Sequence, residues 1–338
     1  MYRNQQLSNK TKSIMNKVKA IGYLLLLLIV TDCYGQQGNY DFVVAKDGTG
    51  DFVEVQEAIL AVPDFRDEKT TIFIKKGIYK EKLVLPQSKT NVTFIGEDVD
   101  ETILTYDDYA SKKNQFGEEL GTTGSSSFFL FGDNFTARNI TFENSAGDVG
   151  QAVALRVDGD KAVFVNCRFL GFQDTLYTHA ADSRQYYKDS YIEGATDFIF
   201  GSSTAVFDNC DIYCKKGGSY LTAASTPKEN EFGYVIMNSR ITGGAPEGSY
   251  YLGRPWRAYA QVVVMNTYLG DIIKPEGWDN WGEPEREKTV LYAEYENEGP
   301  GQWQNKRVSW AKQLTEDDAQ KYTLENIFDG WNPMERIR

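Results

Sequence analysis

Two aspartates decide what chemistry this chain can do. Asp174 lies in Gly171-Phe-Gln-Asp-Thr-Leu-Tyr177 and Asp197 in Gly194-Ala-Thr-Asp-Phe-Ile-Phe-Gly201, each inside an apolar run. Carboxylates forced close together cannot both ionise comfortably, so one becomes an acid and the other a base or nucleophile. A lone Asp is most often a turn or solvated residue, but two in matching surroundings weaken that reading. Gln173 stands beside Asp174, and Gln151 sits in Gly150-Gln-Ala-Val-Ala-Leu155. A side-chain amide held there can donate a hydrogen bond to charge developing on a substrate oxygen. A glutamine that satisfies buried backbone reads equally well from sequence alone. Arg254, in Tyr251-Leu-Gly-Arg-Pro-Trp256, can pair with one Asp and depress its pKa, leaving the other to carry the proton. Tyr177, Phe198, Trp256 and Trp281 are candidates for a sugar-stacking wall, with core packing the alternative for Phe198. His179 is the only histidine, so a His-rich metal cluster is excluded.

These groups need a scaffold that brings distant segments together. From Tyr40 onward the sequence is a series of short β-rich runs, such as Thr71-Ile-Phe-Ile74, Val92-Thr-Phe-Ile95 and Val262-Val-Val-Met265, separated by Gly, Asn and Asp turns. A polar residue, usually Asn, recurs two or three places before an apolar one, at Asn91, Asn139, Asn166, Asp189, Asn209, Asn238 and Asn266. From Asn139 the steps are 27, 23, 20, 29 and 28 residues. A period in this range built of strands indicates a parallel β-helix; a β-sandwich would not place a polar residue at one repeating offset. Asp174 and Asp197 each lie eight residues after their repeat marker, so they hold the same place on adjacent turns, about 4.8 Å apart. Gly147 and Gly217 take that offset on the flanking turns, where a shallow groove is expected. Helical segments are expected at Val53 to Ala61, capping the first turn, and at Leu314 to Phe328, packing on the side or end of the solenoid.

The N-terminus carries Arg3, Lys10, Lys12, Lys17 and Lys19, then the apolar run Leu24-Leu-Leu-Leu-Leu-Ile-Val30, then small and polar residues. This reads as a signal peptide over 1–35, followed by a single β-helix catalytic domain over 36–338, secreted or periplasmic. The run is too short for stable membrane insertion. Lipid attachment at Cys33 is the lesser alternative, because Asp32 occupies the position where a small residue is expected. Without residues 1–35 the formal charge falls from −12 to −16, which argues against nucleic acid as a partner. A polyanionic substrate would need partial neutralisation, for example by esterification. Cys167, Cys210 and Cys214 then remain, an odd number that suits buried thiols; Cys210 and Cys214 can pair only if the chain turns sharply between them.

Five blocks in order, Gly77-Ile-Tyr-Lys-Glu81, Gly150-Gln-Ala-Val-Ala-Leu155, Gln173-Asp-Thr-Leu176, Asp197-Phe-Ile-Phe-Gly201 and Leu252-Gly-Arg-Pro-Trp256, resemble the signature of the pectin methylesterases, here a bacterial secreted member. The resemblance runs from about Tyr40 to Trp331. It implies an all-β, right-handed parallel β-helix with short capping helices. It implies Asp197 as nucleophile, Asp174 as general acid and then base, Gln151 and Gln173 as an oxyanion hole, and Arg254 orienting Asp197. Trp256, Tyr177 and Phe198 would bind substrate. The implied substrate is methyl-esterified pectin (homogalacturonan), the product methanol, with no cofactor, no metal and a monomeric enzyme. Thr222-Ala-Ala224 stands where many members carry Thr-Ala-Gln, and Ala181-Asp182 alters the turn after His179, so the preferred methylation pattern stays open. The alternatives are another β-helix pectin enzyme, a calcium-dependent lyase or a polygalacturonase, and a non-catalytic carbohydrate-binding solenoid.

Overall fold

The computed structural model describes residues 40–337, so the expected signal segment and Cys33 lie outside the described residues. From Phe42 the chain winds through three parallel sheets of eleven, eight and seven strands. One coil runs Ala162–Val165, Arg168–Leu170 and Leu176–Thr178, and the next repeats the path through Arg184–Lys188, Tyr191–Gly194 and Thr196–Gly201. This is the right-handed parallel β-helix expected from the repeat.

From Asn139 on, the recurring polar residue marks the corner between the eleven- and eight-stranded sheets, whereas Asn91 stands just before the eleven-stranded sheet's Val92–Gly96. Asn91, Asn139, Asn166, Asp189, Asn209, Asn238 and Asn266 all have φ between 49° and 57°. Asn and Asp tolerate this left-handed conformation better than other residues with a Cβ. Their side chains also link coils, Asn166 donating to Asn139 at 2.8 Å and Asn209 to Asp189 at 2.6 Å.

Inside, equivalent side chains of successive coils stack. Phe164, Tyr187 and Phe207 lie with ring centroids 4.9 and 4.8 Å apart, close to the coil spacing itself. The N-terminal end is closed by a helix at Val55–Ala61, shorter than the expected segment, with Val55, Ala58 and Ile59 buried. Its first amides are capped from a distance, Val55 and Gln56 donating to the Glu81 carboxylate at 3.1 and 2.9 Å. The expected helix at Leu314 to Phe328 is two single turns, Glu316–Ala319 and Leu324–Ile327, each capped by a threonine hydroxyl, Thr315 and Thr323. Ile327 and Phe328 pack on Val163, Tyr186, Val206 and Val235, covering the outer face of the eleven-stranded sheet. All three described cysteines are buried and unpaired; Cys214 ends the extended strand Asp211–Cys214, so no sharp turn brings it back to Cys210.

Candidate active site

The chemistry is concentrated on the seven-stranded sheet. Leu176 pairs with Ile199, so Asp174 and Asp197, each two residues earlier, occupy equivalent places on adjacent coils. The Asp174 amide donates to the Thr196 carbonyl at 3.1 Å, which ties the two segments together. Both aspartates have left-handed backbones, φ 64° and 50°. Such a residue breaks the in-and-out alternation of a strand. After each one, two consecutive side chains enter the core, Thr175 with Leu176 and Phe198 with Ile199, while the carboxylate is turned outward to a cleft. At Asp197 the register with Tyr220–Ala224 shifts between Thr196 and Ile199, a bulge that re-aims the side chain.

This backbone corrects one expectation. Phe198 does not line the cleft; it is fully buried in the main core, and Phe200 takes the outward place. Room for Phe198 comes from Gly194, where a Cβ would lie 2.1 Å from the Phe198 Cβ and 2.8 Å from the Phe172 carbonyl oxygen. We expect Gly194→Ala to lose about 1–3 kcal/mol of stability through overpacking, read by denaturant unfolding, with activity falling because Asp197 is displaced. The groove expected at Gly147 and Gly217 is also not there. Turn lengths differ between coils, so counting eight residues from the marker misplaces both glycines, which stand in turns with nothing within 4 Å of a Cβ and outside the cleft lining.

The cleft, of about 550 Å³, brings together Gln151, Gln173, Asp174, Asp197 and Arg254 with Tyr177, Trp256 and Trp281. Sequence reasoning missed Phe200, Ala223 and the Gly121–Thr123 turn, which also line it. Phe200 was detectable only through the left-handed Asp197, and the turn comes from an insertion outside the repeat. Gln151 and Gln173 pair directly across neighbouring coils. Among the described residues their side-chain amides have no protein hydrogen-bond partner, although both face the cleft. That favours a role toward substrate over one in satisfying buried backbone.

Arg254 grips Asp197 with both arms of its guanidinium, Nε to Oδ1 at 2.9 Å and Nη2 to Oδ2 at 2.6 Å. Its plane lies between the rings of Tyr220 and Trp281, 3.9 and 3.7 Å from the centroids. Trp281 itself has φ 62°, a costly conformation for a bulky residue, and its amide donates to the Asp279 carboxylate at 2.7 Å. Arg254 does not, however, bring Asp197 below the ordinary carboxylate range. Burial outweighs the guanidinium and leaves the Asp197 pKa raised. Asp174 is pushed much further up, by burial first and by the Asp197 charge second, with distant Arg254 a weak counterweight. The two acids are therefore unequal, though not because Arg254 brings one below the usual range: burial raises both, and Asp174 the further.

Tyr177 stacks on Phe200 at 4.1 Å between centroids, and Trp256 leans on both at 6.3 and 6.0 Å. These rings form an apolar floor beside the acids, suited to a sugar ring and a methyl group.

The family model for pectinesterase matches residues 41–331. A curated relative, Pectinesterase 31 of Arabidopsis thaliana, is 43% identical over 292 residues, covering 85% of this chain and 91% of that protein. Among solved structures, pectin methylesterase from carrot is similar with a TM-score of 0.80 and 37% identity over 88% of this chain and 95% of that one. A pectin methylesterase in complex with a hexasaccharide gives a TM-score of 0.75 and 31% identity, covering 87% and 98%. Pectinesterase 31 is a plant protein, so it lends no support to a bacterial origin. The match along nearly the whole described chain, together with the paired acids in their cleft, means that the chain belongs to the pectinesterase family of carboxylic ester hydrolases.

Proposed function

We propose that the cleft hydrolyses galacturonate methyl esters of pectin with Asp197 as nucleophile and Asp174 as acid and base. An Asp197 oxygen attacks the ester carbonyl carbon, and the carbonyl electrons move onto its oxygen, where the amides of Gln151 and Gln173 donate hydrogen bonds. The intermediate collapses, the bond to the methoxy oxygen breaks, and Asp174 gives that oxygen its proton to release methanol. Asp174, now ionised, takes a proton from water, whose oxygen attacks the acyl carbon and frees the galacturonate carboxylate and Asp197. No step needs a metal or organic cofactor. The observation that carries this reading is the unequal pair: one carboxylate clamped by Arg254, its neighbour buried, with no hydrogen bond to its carboxyl group among the described residues and its pKa pushed up by burial and by the Asp197 charge. A calcium-dependent lyase would gather several carboxylates around the cation, whereas only these two line the cleft and one is already paired.

Tyr177, Phe200 and Trp256 serve as the sugar platform. Residues 1–35 act as a signal for export, and 36–338 as one catalytic domain working as a monomer. The C-terminal turns support that last point, since they already cover the apolar outer face of the eleven-stranded sheet. Among the described residues no helix is long and apolar enough to cross a membrane.

The test is to incubate the mature protein with highly methylated pectin and follow methanol, unsaturated ends and chain length together. Methanol without scission is expected; unsaturated or shortened chains would overturn the assignment. Gln151→Ala should lower kcat by about 10²-fold with little change in KM, because its hydrogen bond strengthens only as the oxyanion forms. An unchanged kcat would remove it from the oxyanion hole.

A further inference from the structure

Tyr250 is a core residue that touches neither acid, yet it reaches the segments that carry both. Its side chain is fully buried, and its hydroxyl lies 2.6 Å from two backbone carbonyls, those of Ala195 and Lys215. One proton serves both, and burial pushes the phenol up, so the group remains a donor wherever the enzyme works. Ala195 stands two residues before Asp197, at the entrance to the bulge that aims the carboxylate. Its amide donates to the Phe172 carbonyl at 2.9 Å, and its carbonyl also accepts from the Ser219 amide at 3.1 Å. Lys215 extends the contact to the other acid, because its ammonium donates to the Gly171 carbonyl at 3.0 Å, three residues before Asp174. On its own side Tyr250 leads into the strand Tyr251–Gly253 and so into Arg254. Gly218 makes the room for this reach: a Cβ there would stand 1.6 Å from the Ala195 carbonyl oxygen and 2.0 Å from the Tyr250 hydroxyl oxygen.

Asp197 and Arg254 do not come from neighbouring strands, since Tyr220–Ala224 lies between Thr196–Gly201 and Tyr251–Gly253. Among the described residues two hydrogen-bonded links join their segments directly, the guanidinium clamp and the Tyr250 hydroxyl. The clamp ties one side chain to another but does not fix where the two backbones stand. A buried phenol bonded to a backbone carbonyl does. We propose that Tyr250 is a positioning residue for the esterase: through the Ala195 carbonyl it holds the Asp197 bulge at a set distance from Arg254, so that the guanidinium keeps both carboxylate oxygens. The inference rests on the esterase reading above. Without the hydroxyl the Ala195 carbonyl keeps only the Ser219 amide, and the bulge can draw away. The hold of Arg254 then slackens, burial is less opposed, and Asp197 keeps its proton to higher pH.

The test sets Tyr250→Phe, which keeps the ring, beside Tyr187→Phe, which removes another buried hydroxyl, one bonded to Gln185 at 2.7 Å in the core. Both variants should melt a few degrees lower than wild type. The carboxyl carbon of Asp197, followed by NMR and assigned by its loss in Asp197→Asn, should titrate about half a pH unit higher in Tyr250→Phe and as in wild type in Tyr187→Phe. In Tyr250→Phe alone kcat for methanol release should fall about tenfold with KM unchanged. Once Arg254→Met has removed the clamp, adding Tyr250→Phe should move the titration no further. A wild-type titration in Tyr250→Phe, the same shift in Tyr187→Phe, or an equal further shift in the absence of Arg254 would overturn the proposal, as would a Tyr250→Phe enzyme that changes in KM and not in kcat. Absence of methanol from wild type would overturn the esterase reading instead, and the titration would still decide whether Tyr250 holds Asp197 to Arg254.

Discussion

Asp197→Asn should lower methanol release by at least ~10⁴-fold, the scale seen when a covalent nucleophile is removed, while far-UV circular dichroism and the melting temperature show the β-helix intact. The substitution keeps the volume and one oxygen that Arg254 can still meet, but the amide cannot attack an ester carbonyl. The left-handed backbone at this position tolerates Asn as well as Asp, so the bulge that aims the side chain survives. Turnover within tenfold of wild type would mean that another group attacks the ester and that the roles are wrong.

Asp174→Asn has two effects of opposite sign. Methanol release should fall by about 10²–10⁴-fold, because the leaving methoxide loses its proton donor and the water its base. Stability at neutral pH should rise. The folded-state pKa of Asp174 lies well above the unfolded value of 3.8, so the folded protein binds this proton more tightly than the unfolded chain. Below the unfolded pKa both states are protonated and the full benefit of the acid is present. As pH rises past 3.8 the unfolded chain ionises first, and folding stability drops by about 1.4 kcal/mol per pH unit until the folded pKa is reached. An asparagine escapes this loss. Melting curves of the two proteins should coincide near pH 3 and separate in favour of the variant as pH increases. A variant that melts lower than wild type at pH 7 would mean that Asp174 is stabilised as a carboxylate and is not a resting acid. With these roles the pair should set the activity profile, the acid limb following ionisation of Asp197 and the alkaline limb that of Asp174, both shifted upward.

What could be read from sequence divides along physical lines. The coil repeat was legible because a left-handed corner admits few residue types, and Asn or Asp recurs there for that reason. The two acids were placed correctly because the stretch from corner to carboxylate has the same length in those two coils. Gly147 and Gly217 were misplaced because the neighbouring coils carry longer turns. Phe198 was taken as a substrate contact from the family resemblance, whereas an outward Asp197 already turns its neighbour inward; the left-handed backbone then sends Ile199 inward as well and leaves Phe200 to face the cleft. The C-terminal segment looked like one helix by its apolar spacing, yet Thr315 and Thr323 each start a separate turn. The stack of Tyr220, Arg254 and Trp281 needed the structure, since those residues come from different coils and from the non-repeating tail.

The place of Arg254 in the stack has a bearing on how the enzyme loses activity. Tyr251–Gly253, just before it, is the outermost strand of the seven-stranded sheet, whereas the strand that carries Asp197 lies two places in and the strand after Asp174 three. A solenoid is a nearly one-dimensional array in which each coil is held by its neighbours, so melting starts at an end. The Trp278 and Trp281 segment acts as a clasp on that end, Trp278 bridging Gly253 and the Leu252 amide donating to Gly277 at 2.7 Å. Opening the clasp strips the guanidinium from Asp197 while both acid-bearing coils are still folded. We expect heat to silence the catalyst before it unfolds it, with amide exchange quickening at Leu252 ahead of Ile199 as activity disappears.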